Sequence, residues 1–350
     1  MPVDYSSLPK DSLVLVTGAN GFLGSHIAHA LLQAGHRVRG TVRSPAKCAW
    51  LRAHFDAAHG PGRFSLVPVP DMAAPAAFVD AVRGVDAVAH VASVMGDLCP
   101  DPNAVIPVVV RGVTNALDAA AGERRVKAFV YTSSSTAAYS PKPGAGGDVG
   151  QETWNEETVK EAWAPPPYEP SRTGKVYGAS KMAAEKAVWD WVKEKEKEGE
   201  VGFRVNAVLP NVNFGRSLDV KNQGHPTTSG WAFDLATGKL ADRMWEAVKP
   251  QYYVNVEDTA LIHVAALTRP DIDRQRIYAF AGEFNWNTLL HALRKLYPER
   301  TFYEDREGLG HDLSRIVDAG KAEELLKDVS GRGWKSLEES LKENLEDLGW

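Results

Sequence analysis

Apolar positions bunch into short runs, each followed by a turn and then by a stretch with helical spacing. Ser12 to Gly18, SLVLVTG, is β-rich and ends in a glycine turn, after which Phe22 to Ala34 keeps a helical period until Gly35. The same alternation predicts strands near Arg37 to Val42, Phe64 to Val69, Ala87 to Val91, Ala128 to Thr132 and Phe203 to Leu209. It predicts helices near Ala46 to Ala58, Ala74 to Val82, Ala104 to Ala121 and Val176 to Lys197. Such alternation implies an α/β fold: a doubly wound parallel sheet with helices on both faces.

After Pro210 the rhythm breaks. Residues 211–250 are irregular and rich in Gly, Asn, Thr and Trp, whereas YYVNVEDTALIHVAAL, from Tyr252 to Leu267, reads as one more strand and helix returning to the sheet. The expected organisation is a sheet domain of residues 1–210 plus about 251–269, with a smaller α+β lobe of about 211–250 and 270–350 leaning over the carboxyl ends of the strands. No internal repeat is visible.

Composition narrows the class of protein. A net charge of −5 gives no general electrostatic footprint for nucleic acid or an anionic membrane. The densest charge run, KEKEKEGE at Lys193 to Glu200, mixes signs as a solvated helix end does. Cys48 and Cys99 are the only cysteines, too few for a disulfide framework or a zinc cluster, so two free thiols in a reducing compartment are expected. The amino terminus lacks a basic segment followed by an apolar run, and no stretch is expected to cross a bilayer. A cytoplasmic protein with a small-molecule partner, and neither nucleic acid nor membrane, is the reading; a homodimer is the assembly considered.

Gly18, Gly21 and Gly24 in TGANGFLGSH follow a strand and open a helix, the context a dinucleotide-binding turn requires. The first glycine permits the tight turn, the second lets a pyrophosphate approach the backbone, and the third allows helix and strand to pack closely. Asn20, Phe22 and Leu23 complete that loop, whose helix end offers free N–H groups. At the end of the second strand, VRGTVRSPAK has no acid for an adenosine ribose. Arg43 and Lys47, with Arg39 nearby, offer cations to a 2′-phosphate, which matches NADPH/NADP+. Asp71 and Met72, after the third strand, are placed by topology at the adenine edge. His90 to Ser93, including Val91 and Ala92, follow the fourth strand toward the same ligand.

FVYTSSSTAAY sets Thr132, Ser133, Ser134 and Ser135 at the carboxyl end of the fifth strand, where ligands of such sheets gather. The helix that follows carries Tyr177 and Lys181, the only Tyr-x-x-x-Lys in the chain, four residues apart and so on one helical face.

This constellation resembles the extended short-chain dehydrogenase/reductases. Within them the chain resembles the fungal and yeast NADPH-dependent carbonyl reductases, relatives of dihydroflavonol reductase and cinnamoyl-CoA reductase. The likeness runs through TGANGFLGSH, RGTVRSPAK, VAHVAS, FVYTSSS, VYGASK, NAVLPN, QYYVNVEDTALIH and FNWNTLLHALRKLYP. It implies that Ser134 is the catalytic serine, with Ser133 the fallback because the run of three leaves the register open, and that Tyr177 and Lys181 complete the set. An unperturbed phenol, with a pKa near 10, is a poor partner for proton transfer at neutral pH, so Lys181 is expected to favour the phenolate while holding the nicotinamide ribose. Pro210, Asn211 and Val212 match the segment that passes beside the nicotinamide. Asn115 is expected to make a local hydrogen bond.

The substrate wall is less legible. Val94, Met95, Trp231, Gln251 and Tyr252 match regions that border the family's pocket. GKVYGASK departs from the NWYCYGK of cinnamoyl-CoA reductases, and no basic cluster suits a CoA tail. The resemblance implies reduction of aldehydes, ketones or ketoesters. A flavonoid, sterol or sugar-nucleotide substrate on the same scaffold is the first alternative, and a nonenzymatic NADP(H)-binding regulator is the second, against which the intact Ser, Tyr and Lys set argues.

Overall fold

Seven parallel strands form the main sheet, seen in a computed structural model that describes residues 7–94, 99–199 and 201–350. In chain order the strands of the protein are β1 (Leu13–Val16), β2 (Arg37–Val42), β3 (Phe64–Pro68), β4 (Ala87–His90), β5 (Ala128–Thr132), β6 (Asp148–Val149), β7 (Arg204–Pro210), β8 (Val212–Phe214), β9 (Gln251–Asn255), β10 (Arg276–Ala279), β11 (Gly282–Phe284) and β12 (Arg315–Ile316). The helices are α1 (Phe22–Gln33), α2 (Ala49–His59), α3 (Val79–Val82), α4 (Pro102–Gly122), α5 (Glu156–Ala162), α6 (Thr173–Glu198), α7 (Val220–Gln223), α8 (Thr228–Ala236), α9 (Asp242–Ala247), α10 (Val256–Thr268), α11 (Trp286–Leu296), α12 (Ala319–Ser330) and α13 (Leu337–Asn344).

The main sheet runs β3-β2-β1-β4-β5-β7-β10, so the order reverses between β1 and β4. Ligands of doubly wound sheets bind outside the carboxyl ends of the strands at such a reversal. Central strands are mostly apolar because both faces are covered: every residue of β5 is buried, and each fully buried Val or Phe contributes roughly 1.5–3 kcal/mol. On one face Phe78, Val109, Val113, Val188 and Trp191, from α3, α4, α6 and their approaches, close over the sheet. On the other, Ile27, Leu31, Leu51, Ile262, Leu325 and Leu326 bring α1, α2, α10 and α12 together.

Several expectations are corrected. The strand of the returning segment, β9, does not join the main sheet; it pairs with β8 and β11 in a three-stranded sheet of its own, and only α10 packs back under the main sheet. β10, expected in the lobe beyond residue 270, forms the edge of the main sheet, with Ala279 opposite Pro210, and α12 joins the same core. The chain continues after one residue from β7 into β8, which leaves the flank of β7 open for β10. The helix expected over Ala74 to Val82 is one turn, α3, since the preceding residues form turns and Ala76 has φ 58°. α4 is long and apolar enough to cross a membrane by length and composition, contrary to expectation; it lies against α6, with half of its most apolar window buried inside the fold.

The lobe has its own core, in which Phe214, Leu235, Trp245, Phe284, Trp286, Leu289 and Leu341 meet.

Candidate active site

The glycine loop owes its shape to backbone that only glycine tolerates. Gly18 has φ 65°, and a Cβ there would lie 3.1 Å from Ala92 Cα; one on Gly24 would lie 2.3 Å from Gly18 O. A side chain at Gly18 would be strained and one at Gly24 would overlap backbone, so with glycine at both α1 starts tight against β1. Gly21 precedes α1 without a side-chain cap, and the first turn carries no acid. The free N–H groups of Phe22 and Leu23 thus open onto the loop without a competing negative charge. Thr17 closes the floor: its Oγ1 accepts from Val91 N at 2.9 Å and Ala92 N at 3.0 Å and pairs with His90 Nδ1 at 3.2 Å. Burial pushes His90 down to about 3, so it stays neutral; with Thr17 Oγ1 already accepting from two backbone N–H groups, its hydroxyl hydrogen is left to donate to His90 Nδ1. Ser93, next along, has a buried Oγ with no partner among the described residues.

Arg43 and Lys47 are exposed beyond β2, and neither forms an ion pair among the described residues. Arg39 is drawn away from them, donating to Ala81 O and Arg83 O at 2.8 Å each. Asp71 turns its carboxylate onto Ala73 N at 2.8 Å. Asn115 donates to Met72 O and Ala74 O, both at 2.9 Å, and so pins this loop to α4, a long-range tie where a local hydrogen bond was expected.

At the end of β5 the three serines separate. Ser133 donates to Glu185 Oε2 at 2.6 Å, buried. Ser134 has extended backbone and accepts from Thr136 Oγ1 at 2.9 Å, and its hydroxyl lies near enough to the Tyr177 phenol to pull the phenol's pKa down. Strand alternation explains the split, because successive side chains leave opposite faces. Lys181 lies one turn beyond Tyr177 on α6, buried, and donates to Thr132 O at 3.0 Å. The Thr132 hydroxyl in turn contacts His263 Nε2 at 2.8 Å. His263 Nδ1 donates to Thr259 O at 2.8 Å, and burial holds this ring down at about 4, which leaves Nε2 as an acceptor.

The electrostatics differ from the expectation that Lys181 lowers the phenol. Burial raises the Tyr177 pKa above its usual value despite the opposing influence of the nearby Ser134 hydroxyl, and burial lowers Lys181 to about 8 against the opposing pull of Glu185. With its ammonium spent on a carbonyl, Lys181 leaves desolvation to dominate at the phenol.

Pro210, Asn211 and Val212 pass the same end of the sheet. Asn211 donates to the Tyr139 hydroxyl at 3.3 Å, which donates to Asp312 Oδ2 at 2.9 Å; Val212 N is satisfied by Asn211 Oδ1 at 2.9 Å. The expected substrate residues scatter. Val94 is half-buried against the main core, and Met95 lies outside the described residues. Trp231 packs on the lobe core, and Gln251 turns its amide to Lys249 O at 3.0 Å. Tyr252 donates to Ser314 O at 2.8 Å and lines a cavity of about 450 Å³ with Phe280, Ile316 and Trp334, which none of Ser134, Tyr177 and Lys181 reaches.

Two residues escaped the sequence reading. Gln223, on α7, donates to Asn20 O at 3.2 Å and Ser25 Oγ at 3.0 Å, laying the lobe on the glycine loop; nothing in its irregular segment signals this. Glu185 continues the Tyr177 and Lys181 spacing by four, and an acid on that face was the available signal.

The profile of the NAD dependent epimerase/dehydratase family matches residues 14–281. The chain belongs to that family. It is a member of the extended short-chain dehydrogenase/reductases, as its motifs indicated. It is 42% identical to aldehyde reductase 2 of Sporidiobolus salmonicolor over 342 residues, 97% of each chain. It is 34% identical to ketoreductase nvfG of Aspergillus novofumigatus over 342 residues, 95% of this chain and 96% of the other. Among solved structures it is similar to Gre2 of Candida albicans in complex with NADPH, with a TM-score of 0.81 and 25% identity, covering 97% of this chain and 99% of that one.

Proposed function

We propose that the protein is an NADPH-dependent reductase of aldehydes, ketones or ketoesters. The observation that carries this reading is the approach of the Ser134 hydroxyl to the Tyr177 phenol, with Lys181 buried against the Thr132 carbonyl at the carboxyl end of β5, the same edge of the parallel sheet that carries the glycine loop after β1. The residues present fit a dinucleotide: Gly18 and Gly24 let β1, the loop and α1 pack closely enough to turn the uncapped start of α1 toward the ligand side, and Ser93 Oγ is a buried hydroxyl with no partner among the described residues. Arg43 and Lys47 would hold a 2′-phosphate, Asp71 and Met72 would border the adenine, and Pro210, Asn211 and Val212 would flank the nicotinamide. The names of the relatives, an aldehyde reductase and a ketoreductase, support the substrate class, and the NADPH complex of Gre2 supports the cofactor.

When bound, the reduced nicotinamide supplies a hydride to the carbonyl carbon. Ser134 would donate a hydrogen bond to the carbonyl oxygen, orienting it and stabilising the negative charge that grows there. Tyr177, kept protonated at neutral pH by its raised pKa, would deliver its proton to that oxygen as the general acid, giving the alcohol. Lys181 would turn its ammonium from the Thr132 carbonyl toward the ribose hydroxyls, and its charge would support the phenolate left behind.

The test is NADPH oxidation followed at 340 nm, first without carbonyl and then with aldehydes, aryl ketones and β-ketoesters, against NADH as control. Turnover that needs both a carbonyl and NADPH supports the reading. Tight NADPH binding with no turnover on any carbonyl would favour a binding role instead.

A further inference from the structure

Directly beneath the proposed catalytic groups lies a charged cluster that the reduction itself does not use. Glu185 is on the Tyr177 and Lys181 face of α6 and is 0% exposed; its ion-pair partner Arg276, on β10, is 4% exposed. The pair meets at 2.6 Å through Arg276 Nε, and Trp189 Nε1 adds a bond to the same carboxylate oxygen at 3.2 Å. The other carboxylate oxygen takes the Ser133 hydroxyl at 2.6 Å. Arg276 is itself fixed by Gln151 O at 2.8 Å and Thr153 O at 2.7 Å and stacks 3.9 Å over the Trp154 ring. Burying such a pair is a poor way to gain stability, since apolar residues of similar size often serve as well or better. Its location is therefore informative.

We propose that Glu185 is a positioning residue for carbonyl reduction: by binding Ser133 it ties the end of β5 to α6 and so fixes Ser134 against Tyr177 and Lys181. Ser134 is joined to Ser133 by one peptide bond, while Lys181 is one helical turn from Glu185. Two short covalent links and one hydrogen bond thus set the distance across which the serine and the phenol must share a carbonyl oxygen. Arg276 keeps the carboxylate from turning, and Trp189 takes up a remaining lone pair. The groups that face Lys181 are Tyr177 and Glu185 on its own helix, His90 on β4 and Tyr131 on β5; of these Glu185 is the anion that opposes its desolvation. The inference rests on the proposed roles of Ser134, Tyr177 and Lys181.

Ser133→Ala and the paired Glu185→Gln/Arg276→Gln test it, with Tyr177→Phe measured alongside. Ser133→Ala removes the tie without burying a lone charge, and the paired variant removes both charges together. Ser133→Ala is expected to keep NADPH affinity within about twofold while kcat falls about tenfold, the worth of one charge-assisted hydrogen bond. The paired variant is expected to lower kcat likewise and to move the alkaline limb of the kcat/KM profile to lower pH, because Lys181 loses its anion. Combining the two changes should add little to either, as for residues acting through one contact. Unchanged kcat in folded Ser133→Ala overturns the proposal, whether or not the paired variant folds. Normal turnover by Tyr177→Phe would instead overturn the underlying roles, so the two failures are distinguishable.

Discussion

Ser133 and Ser134 are neighbours whose hydroxyls serve different partners: Ser133 gives its proton to the Glu185 carboxylate at 2.6 Å, and Ser134 meets Thr136 and the Tyr177 phenol. Ser134→Ala is therefore expected to lower kcat by roughly 10²–10³, as for loss of a donor to a developing oxyanion. Ser133→Ala should cost only about tenfold, since it acts through position. Steady-state kinetics of the two variants on one aldehyde decides; the reverse order would move the catalytic serine by one residue.

Arg43 is exposed and forms no ion pair among the described residues, whereas Arg39 is tied to two carbonyls. Arg43→Ala is expected to raise KM for NADPH roughly tenfold to a hundredfold and to leave NADH nearly unchanged, because only NADPH carries the 2′-phosphate that the lost guanidinium would bind bidentately. Lys47→Ala should do less. The comparison belongs at fixed low ionic strength, since salt screens an exposed contact. Equal weakening of both cofactors would assign Arg43 to the fold or to the shared part of the dinucleotide.

Lys181 supplies a pH dependence whose sign follows from its burial. Its pKa in the free enzyme is lowered to about 8, so the ammonium is present below that pH and lost above it. The kcat/KM profile, which reports the free enzyme, should be flat through neutrality and fall as pH rises through about 8. The buried histidines do not add a limb near neutrality, since burial holds His90 at about 3 and His263 at about 4. Activity still rising above pH 9 would contradict the role given to Lys181.

Gly24→Ala puts a methyl group 2.3 Å from Gly18 O, backbone that must move to admit it. The substitution is expected to destabilise the protein by roughly 1–3 kcal/mol in urea unfolding and to weaken NADPH binding. An unchanged midpoint and affinity would show that the loop has slack the geometry denies.

The parts of the fold written in local pattern were legible. The turn at Gly18 to Gly24, the apolar run of β5 and the four-residue spacing of Tyr177 and Lys181 each depend on residues close together in sequence. What needed distant partners was not. Gln251 to Asn255 reads as a strand in any context, but only the pairing with Val212 to Phe214 shows that it leaves the main sheet. Glu185 shares a helical face with Lys181, yet Arg276, which fixes its carboxylate, is 91 positions away. The choice between Ser133 and Ser134 as the serine beside Tyr177 likewise waits on which face of the strand end each leaves. The substrate wall stays obscure in sequence because its candidates, Trp231, Gln251 and Tyr252, are residues that serve packing equally well.

Tyr177 is the group on which the proposed chemistry turns, and Phe keeps its ring while removing the proton. Single-turnover NADPH oxidation by wild type and Tyr177→Phe, with NADPH affinity measured in parallel by fluorescence, tests this most directly. The expected result is a dissociation constant for NADPH within a few-fold of wild type and a loss of carbonyl reduction of roughly 10²–10⁴, the range for a general acid. Equal rates in the two proteins would contradict proton donation by Tyr177 and with it the proposed mechanism.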